Sequence, residues 1–266
     1  MATTTANAQP PAAASTFGTQ LWRQTLTEWQ RAVRNRQFIF FVIFFPVGFY
    51  LLWANVFGDN SGDTLAGLNG ATYLLVSMSA FGVLGGSMNL FGSRLAQERT
   101  HGWTRLLRTT PLRTSVYFLA KWLVALAISA IIVIVMSAVG YLEGAQLAGG
   151  QWLKFGFILW LGAFPFGALG LAIGYLTNAA SSQIVGQLVY FFLSIFGGLW
   201  MPIEILPKAM QTLAGYVPTY HYAHLMRQVL TTGFSLTDVW VLLAYTVLFL
   251  LVAWWGWRRD ESVTYS

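Results

Sequence analysis

Apolar residues occur along this chain in five long tracts that contain no charged residue. The tracts cover residues 37–58, 64–93, 122–142, 155–203 and 239–257. A helix needs about 20 mostly apolar residues to cross a bilayer, and the fourth tract is long enough for two such helices. The polar stretch TNAASSQ at 177–183 is typical of a tight turn and divides that tract. The pattern predicts an all-α membrane protein with six spans, at about 38–57, 66–92, 115–141, 153–177, 183–201 and 239–257.

The segments that flank the spans have different characters. Residues 1–16 are rich in Pro, Ala and Thr, which predicts a disordered tail rather than a cleavable signal peptide. In 17–36, Trp22 and Leu26 lie on one helical face and Arg23 and Arg34 on the other. This pattern predicts an amphipathic helix in the membrane interface, with an ordinary soluble helix packed on a partner as the alternative. Residues 258–266 are predicted to be a short tail.

The basic residues are distributed unevenly between the loops. The chain has 15 Lys and Arg against 9 Asp and Glu, a net charge of +6. Most of the basic residues precede the first span, lie between the second and third spans, or follow the last span. Since Lys and Arg resist translocation, we expect both termini and the segment 94–113 to be on the cytoplasmic side of the cell membrane. The excess charge is explained by this asymmetry and by attraction to the lipid bilayer, so we expect no nucleic-acid partner.

The segment 94–112 holds a large part of the chain's charge between two apolar spans. The positive-inside rule explains the sign of this charge. It does not explain why Leu95, Trp103 and Leu106 are interspersed with the arginines. Their spacing predicts a short amphipathic helix on the cytoplasmic surface, which Pro111 ends. Such a helix is suited to docking into a groove of a partner protein.

The segment 202–234 is too apolar for an ordinary loop and too broken to cross the membrane. It contains Pro202, Pro207, Pro218 and Gly233 among aromatic and aliphatic residues. Pro207 is expected to begin a short helix, and residues 216–230 to form an amphipathic or re-entrant helix on the outer side. Non-helical backbone at membrane depth requires cover by protein or by a water-filled cavity. The segment is therefore a candidate lid or lateral gate.

Several kinds of chemistry are not expected from this sequence. His221 and His224 share a helical face but have no third ligand nearby, so no metal site is predicted. The chain has no cysteine, no G-x-x-x-x-G-K-[ST] loop for ATP and no charged residue at the middle of a span. A membrane enzyme would need an acid–base pair, and none is apparent. Glycines at Gly82, Gly86, Gly170 and Gly174 predict close helix packing.

Two stretches carry a family resemblance. The first is Glu98-Arg99 followed by Gly102, by the leucine pair at 106–107 and by Pro111. The second runs from Pro202 through the Leu206-Pro207 pair to Pro218-Thr219-Tyr220-His221. With these stretches the chain, from about residue 21 to residue 257, resembles the ABC-2 type transporter permeases, the membrane subunits of a class of ABC exporters.

The resemblance implies roles for both stretches. It implies that the first is a coupling helix docking onto an ATPase subunit, and that the second consists of short helices re-entering from the outside. The residues expected to couple to the ATPase are Glu98, Arg99, Gly102, Trp103, Arg105, Leu106, Leu107 and Pro111. Those expected at the outer gate are Pro202, Leu206, Pro207, Pro218, Tyr220, His221 and Arg227. The chain departs from many relatives at Arg105, where they carry an acid, and this departure affects the polarity of the expected ATPase contact.

The resemblance further implies a dimer of permeases, identical or different, with ATP and magnesium bound by separate ATPase subunits and no cofactor on this chain. The expected function is export of a small hydrophobic or amphiphilic compound, such as a drug. Export of a lipid-linked glycan and a non-transporting role as a membrane sensor or structural partner are the alternatives.

Overall fold

The structure is a computed structural model that describes residues 16–57, 67–102, 109–110, 112–145 and 147–263. Regular structure in these ranges is helical, and six helices are long and apolar enough to cross a membrane. The predicted all-α membrane fold with six spans is therefore confirmed. The spans are Arg36–Ala54, Gly70–Thr100, Thr114–Leu142, Gly149–Leu176, Ala179–Phe196 and Leu236–Arg259. Apart from Thr16, the predicted disordered tail lies outside the described residues.

The part of the chain that the structure describes contains a series of α-helices. They are α1 (Phe17–Arg34), α2 (Arg36–Ile39), α3 (Phe45–Phe57), α4 (Gly70–Thr100), α5 (Thr114–Leu142), α6 (Gly149–Leu161), α7 (Ala163–Leu176), α8 (Ala179–Phe196), α9 (Lys208–Ala214), α10 (Pro218–Thr231) and α11 (Leu236–Val263). A π-helical turn, Phe40–Phe44, connects α2 to α3, and a 3₁₀ turn, Ile203–Ile205, precedes α9.

Helix α1 ends where the first span begins, at Asn35. The Asn35 side chain accepts a hydrogen bond from the Phe38 N–H at 3.0 Å and so caps α2. The π-helical turn ends two residues before Pro46. Pro46 has no N–H to donate to the carbonyl of Val42. The first span is consequently irregular in its first half, whereas the sequence predicts one regular helix over 38–57.

Helix α4 is the centre of the bundle and is the most buried of the spans. It packs most closely on α7, where Gly170 and Gly174 allow the two backbones to meet. A Cβ added to Gly170 would lie 2.7 Å from the Met88 carbonyl oxygen, and one added to Gly174 would lie 3.0 Å from that of Gly92. The predicted close packing at these glycines is confirmed, and it occurs within one chain.

The fourth span is interrupted at Gly162, between α6 and α7. Tyr222 of α10 packs against this glycine so closely that an added Cβ would lie 2.1 Å from the tyrosine ring. The Tyr222 hydroxyl donates to the carbonyl of Leu159. Leu159 is the eleventh residue of the span, about 15 Å along a helix from its start. Helix α10 is therefore packed well inside the length of the bundle.

The predicted turn between the fourth and fifth spans lies at Thr177 and Asn178. Asn178 caps α8 by accepting from the Ser181 N–H at 2.9 Å. Helix α8 then ends at Phe196, five residues before the predicted end at 201. The reason is the pair that follows, in which Gly198 has a left-handed φ of 69° that ends a right-handed helix.

The segment 202–234 forms two short helices that begin at prolines. Pro207 precedes the first residue of α9, and Pro218 is the first residue of α10. Proline is well suited to the first helical position, which Pro218 occupies, because its fixed φ is helical and its missing N–H would have no partner there. Pro207 lies one residue earlier, at the N-cap of α9, where its N–H is likewise not needed by the helix. The last span, α11, continues through Arg258 and Arg259 to Val263. The helix therefore includes residues that the sequence assigns to a tail.

Candidate functional site

A buried ionic cluster joins α1, α4 and α5 at one end of the bundle, which we call the basic side. The Lys121 Nζ atom lies 3.2 Å from Glu28 Oε2 and 3.0 Å from Glu98 Oε2. The side chains of Lys121 and Glu28 are 0% and 1% exposed, and that of Glu98 is 14% exposed. One buried cation thus binds two carboxylates from different helices.

Two further side chains complete the cluster. The Tyr117 hydroxyl donates to Glu98 Oε2, and Arg31 Nη1 lies 3.6 Å from Glu98 Oε1 at the surface. With Arg31 included, the cluster holds two positive and two negative charges. Burying charges is costly unless they are paired and hydrogen-bonded, and here both conditions are met.

The two residues after Glu98 bind two other helices. Arg99 Nη1 donates to the carbonyl oxygens of Gly174 and Tyr175 at 2.6 and 3.0 Å, at the end of α7. A cation is favourable there because the last carbonyls of a helix carry partial negative charge. The Thr100 hydroxyl accepts from the Ala179 N–H at 3.3 Å, in the first turn of α8. We call residues 98–100 the α4 junction, since they contact α1, α5, α7 and α8.

Helix α4 terminates directly after this junction. Gly102 has a left-handed φ of 71°, and its N–H donates to the Arg99 carbonyl at 3.0 Å. An added Cβ at Gly102 would meet no atom within 4 Å. The glycine is thus required by the backbone conformation rather than by crowding.

A groove of about 730 Å³ lies between the first span, α4 and α8. It extends along α4 from Gln97, near the basic side, to Gly85, about 18 Å for a helix of that length. The side chains that line it include no Asp, Glu, Lys or Arg among the described residues. Its polar groups are amides and hydroxyls, namely Asn35, Gln37, Asn89, Ser93, Gln97, Ser182, Gln183 and Gln187.

On the opposite side of the bundle, a single carboxylate links α10 to α11. Asp238 Oδ1 lies 2.7 Å from Nδ1 of His221, and Oδ2 lies 2.6 Å from Nδ1 of His224. Nε2 of His221 is 2.9 Å from the carbonyl oxygen of Gly215, and Tyr220 stacks on His224 at 5.6 Å. Asp238 is 3% exposed. These contacts attach α10 firmly to the start of the last span.

The described residues contain no group of three or more His, Cys, Asp or Glu arranged to hold a metal ion. The neighbouring Tyr222 is fully buried, which raises the pKa of its hydroxyl well above the ordinary value. The hydroxyl therefore remains a neutral donor to Leu159. The contacts at this end of the molecule hold α10 against α6 and α11.

A family model described as ABC-2 type transporter matches residues 19–231 of the chain. The chain belongs to the ABC-2 type transporter family. This ABC-2 permease is 30% identical over 245 residues to "Putative transport permease YvfS" of Bacillus subtilis (strain 168), an alignment that covers 91% of this chain and 99% of the relative. It is 25% identical over 156 residues to "Probable multidrug ABC transporter permease YbhR" of Escherichia coli (strain K12), covering 58% of this chain and 42% of the relative. The chain is a membrane-embedded transporter subunit rather than an enzyme.

The structure describes part of the predicted coupling segment of this permease. Glu98 and Arg99 lie in the last turn of α4, with their side chains directed to other helices, and not on a separate surface helix. This arrangement follows from the length of α4, which continues eight residues past the predicted end of the second span at 92. Gly102 ends the helix. Trp103, Arg105, Leu106, Leu107 and Pro111 lie outside the described residues.

The predicted outer-gate residues of the permease belong to one continuous region. Pro202 and Leu206 flank the 3₁₀ turn, and Pro207 and Pro218 precede or begin α9 and α10. Tyr220 and His221 belong to the Asp238 cluster, which consists of Asp238, His221, His224 and the stacked Tyr220. Arg227 lies apart from that cluster, buried against α4. Whether the region gates a path remains a prediction.

Sequence reasoning missed Glu28, Lys121 and Asp238. Glu28 lies on a face of α1 that the amphipathic pattern assigns to water, and 93 residues separate it from Lys121. A lysine within an otherwise apolar span was the available signal for a buried partner. Asp238 is 14 residues beyond His224 and on another helix, so the H-x-x-H spacing alone does not identify it.

Proposed function

We propose that this permease is the membrane subunit of an ATP-driven exporter and that a separate ATPase subunit docks on the basic side. The α4 junction is the observation that carries the proposal. It lies directly before residues 103–108, where the family resemblance implies the ATPase contact. A displacement of that segment would act at once on the helices that Glu98, Arg99 and Thr100 contact.

The proposed orientation has the basic side in the cytoplasm and the Asp238 cluster outside. It is supported by the positive-inside rule, since Arg23, Arg31, Arg34 and Arg99 all belong to the basic side. Helix α1 leaves Trp22 69% exposed and Leu26 43% exposed. This apolar strip suits a helix lying in the headgroup region of the cytoplasmic membrane.

We further propose that two permease subunits associate across the groove. Beside the groove, α8 exposes Ile184, Leu188 and Phe192, which share one helical face. A second copy would cover this face and close the groove into a path along α4. Helices α9 and α10 would then close the outer end of that path as re-entrant helices, held by Asp238.

The proposed substrate is a small, uncharged amphiphilic compound. A volume of about 730 Å³ suits a drug-sized molecule. Amide groups such as those of Asn89 and Gln187 can hydrogen-bond to a polar group, while Phe41 and Phe191 contact an apolar one. The relative from Escherichia coli named as a multidrug permease supports the same class. These dimensions favour a small compound over a lipid-linked glycan.

The proposal is tested by transport in inverted membrane vesicles. The tagged permease is purified from its native membrane to identify its ATPase, and both are then expressed together. We expect ATP-dependent uptake of a fluorescent amphiphile. Leu106→Asp should abolish both uptake and co-purification of the ATPase, because an acid replaces an apolar docking residue. Gln187→Leu should reduce uptake and leave co-purification intact.

The matched control is Lys208→Gln, a change at an exposed residue in the outer segment. It should leave both uptake and ATPase binding unchanged. Full ATP-dependent uptake by Leu106→Asp would contradict the coupling role of residues 103–108. If a variant with both Gln187→Leu and Asn89→Leu transports with the same substrate dependence as the wild type, the groove is not part of the transport path.

A further inference from the structure

We propose that Arg227 is the recognition group of an anion-binding site between α4 and α10. The ligand of this site bears a carboxylate or phosphate group. Arg227 is 4% exposed, and its guanidinium carbon lies 5.0 Å from the centre of the Tyr73 ring. Among the described residues, its Nη1 atom is buried without a hydrogen-bond partner. The proposal does not depend on the direction of transport or on the ATPase.

Arg227 differs from the other buried charges in the described part of the chain. The charged side chains classed as buried there are Glu28, Lys121, Arg227 and Asp238. Glu28 and Lys121 are paired with each other, and Asp238 is bound by two histidines. Within the described residues no carboxylate pairs with Arg227. A guanidinium is charged at any physiological pH, so it cannot avoid the cost of burial by losing its proton.

A second unsatisfied group belongs to the same helix as Tyr73. Ser77 is one turn along α4 from Tyr73 and on the same helical face. Its hydroxyl is also buried without a hydrogen-bond partner. Polar groups buried without partners are uncommon in folded proteins, and each requires a reason. An anion bound between α4 and α10 would accept hydrogen bonds from the Arg227 guanidinium and would place an acceptor beside the face of α4 that carries Tyr73 and Ser77.

The chemistry of arginine limits the ligand class. The planar guanidinium donates two parallel hydrogen bonds to the two oxygens of a carboxylate or phosphate. The Tyr73 ring occupies one face of the guanidinium, which leaves its edge for the ligand. The anion could be a free molecule on the outer side or the headgroup of a lipid, and both present the same oxygens.

The test measures thermal unfolding of the purified full chain in a detergent with an uncharged headgroup. One arm adds inorganic phosphate or acetate, with chloride used to hold the ionic strength constant. The other arm adds dioctanoyl phosphatidic acid, with dioctanoylglycerol as its uncharged match. A saturable rise in Tm in the first arm identifies a free anion as the ligand, and a rise confined to phosphatidic acid identifies a lipid phosphate.

Variants distinguish this site from general charge effects. Arg227→Gln should abolish the rise in Tm or weaken the apparent affinity at least tenfold, an effect in the range expected for one charge-assisted contact, about 1.4 kcal/mol or more. Arg227→Lys should retain a weaker response because lysine lacks the planar fork. Lys208→Gln, which removes an exposed cation of the same segment, should respond as the wild type does. Without added anion, Arg227→Gln should be no less stable than the wild type.

Three results would overturn the proposal. One is a wild type that responds to none of the anions. Another is a response that is equal in the wild type and in Arg227→Gln. The third is a large loss of stability in Arg227→Gln that Asp59→Asn or Asp63→Asn relieves, which would assign the counter-charge to the chain itself.

Discussion

Replacing Lys121 by methionine removes the one buried cation that holds Glu28 and Glu98 together. Methionine fills nearly the same volume, so the change acts mainly on charge. Two carboxylates, 1% and 14% exposed, would then face each other without the ammonium that now lies 3.0 to 3.2 Å from each. Removing one partner of a buried ion pair typically costs about 3–5 kcal/mol. We expect a loss of that size in the free energy of unfolding.

The loss is measured by unfolding the purified chain in mixed detergent micelles and following tryptophan fluorescence. The control is Lys154→Met, an exposed lysine for which we expect a change below about 1 kcal/mol. A triple variant with Lys121→Met, Glu28→Gln and Glu98→Gln has no buried charge left in the cluster, and it should recover most of the loss. If Lys121→Met unfolds within about 1 kcal/mol of the wild type, the cluster does not stabilise the fold as argued.

Three further predictions concern the junctions between helices. Gly162→Ala should destabilise the fold by about 1–3 kcal/mol because the new methyl group meets the Tyr222 ring. When Gly162→Ala is combined with Tyr222→Leu, the loss in the same unfolding assay should be smaller than the sum of the two single losses. Fully additive losses would contradict the contact. Asp238→Asn should speed proteolysis within 202–234, because His221 and His224 lose a charged acceptor whose hydrogen bonds are worth roughly 1.5–3 kcal/mol each. The control Glu143→Gln, a change at an exposed residue, should leave the rate as in the wild type. Equal cleavage rates in the two variants would show that Asp238 does not hold α10. Gly102→Ala should lower the free energy of unfolding by about 1 kcal/mol, because alanine is strained in the left-handed conformation of Gly102. Gly18→Ala should cause no loss, because Gly18 is in an ordinary helix and an added Cβ meets no atom there either. If Gly102→Ala is as stable as the wild type, α4 does not end in the way described.

The spans and the starts of the short helices α9 and α10 could be predicted from the sequence because the signals for them are local. Twenty apolar residues in a row define a span, the TNAASSQ stretch marks a turn, and Pro207 and Pro218 mark where helices begin. The early end of α8 is also a local effect, caused by Gly198, but its left-handed φ becomes known only from the backbone.

The ionic cluster and the groove could not be predicted because they depend on contacts between distant segments. Glu28 is an ordinary member of an amphipathic pattern until Lys121 is placed beside it. The amides of Asn89 and Gln187 lie on separate helices, 98 positions apart, and they line a common surface only after α4 and α8 have packed. Asp238 and the two histidines illustrate the same point at the other end of the bundle.

The α4 junction has a geometric consequence of its own. Consecutive residues of an α-helix point about 100° apart, so Glu98, Arg99 and Thr100 together cover most of the circumference of α4. Turning this end of the helix about its axis would strain contacts on three sides in the same direction of rotation. Tilting it would stretch contacts on one side and compress those on another. A rotation of the final turn of α4 would therefore change its contacts with α1, α5, α7 and α8 together, whereas a tilt would change them unequally.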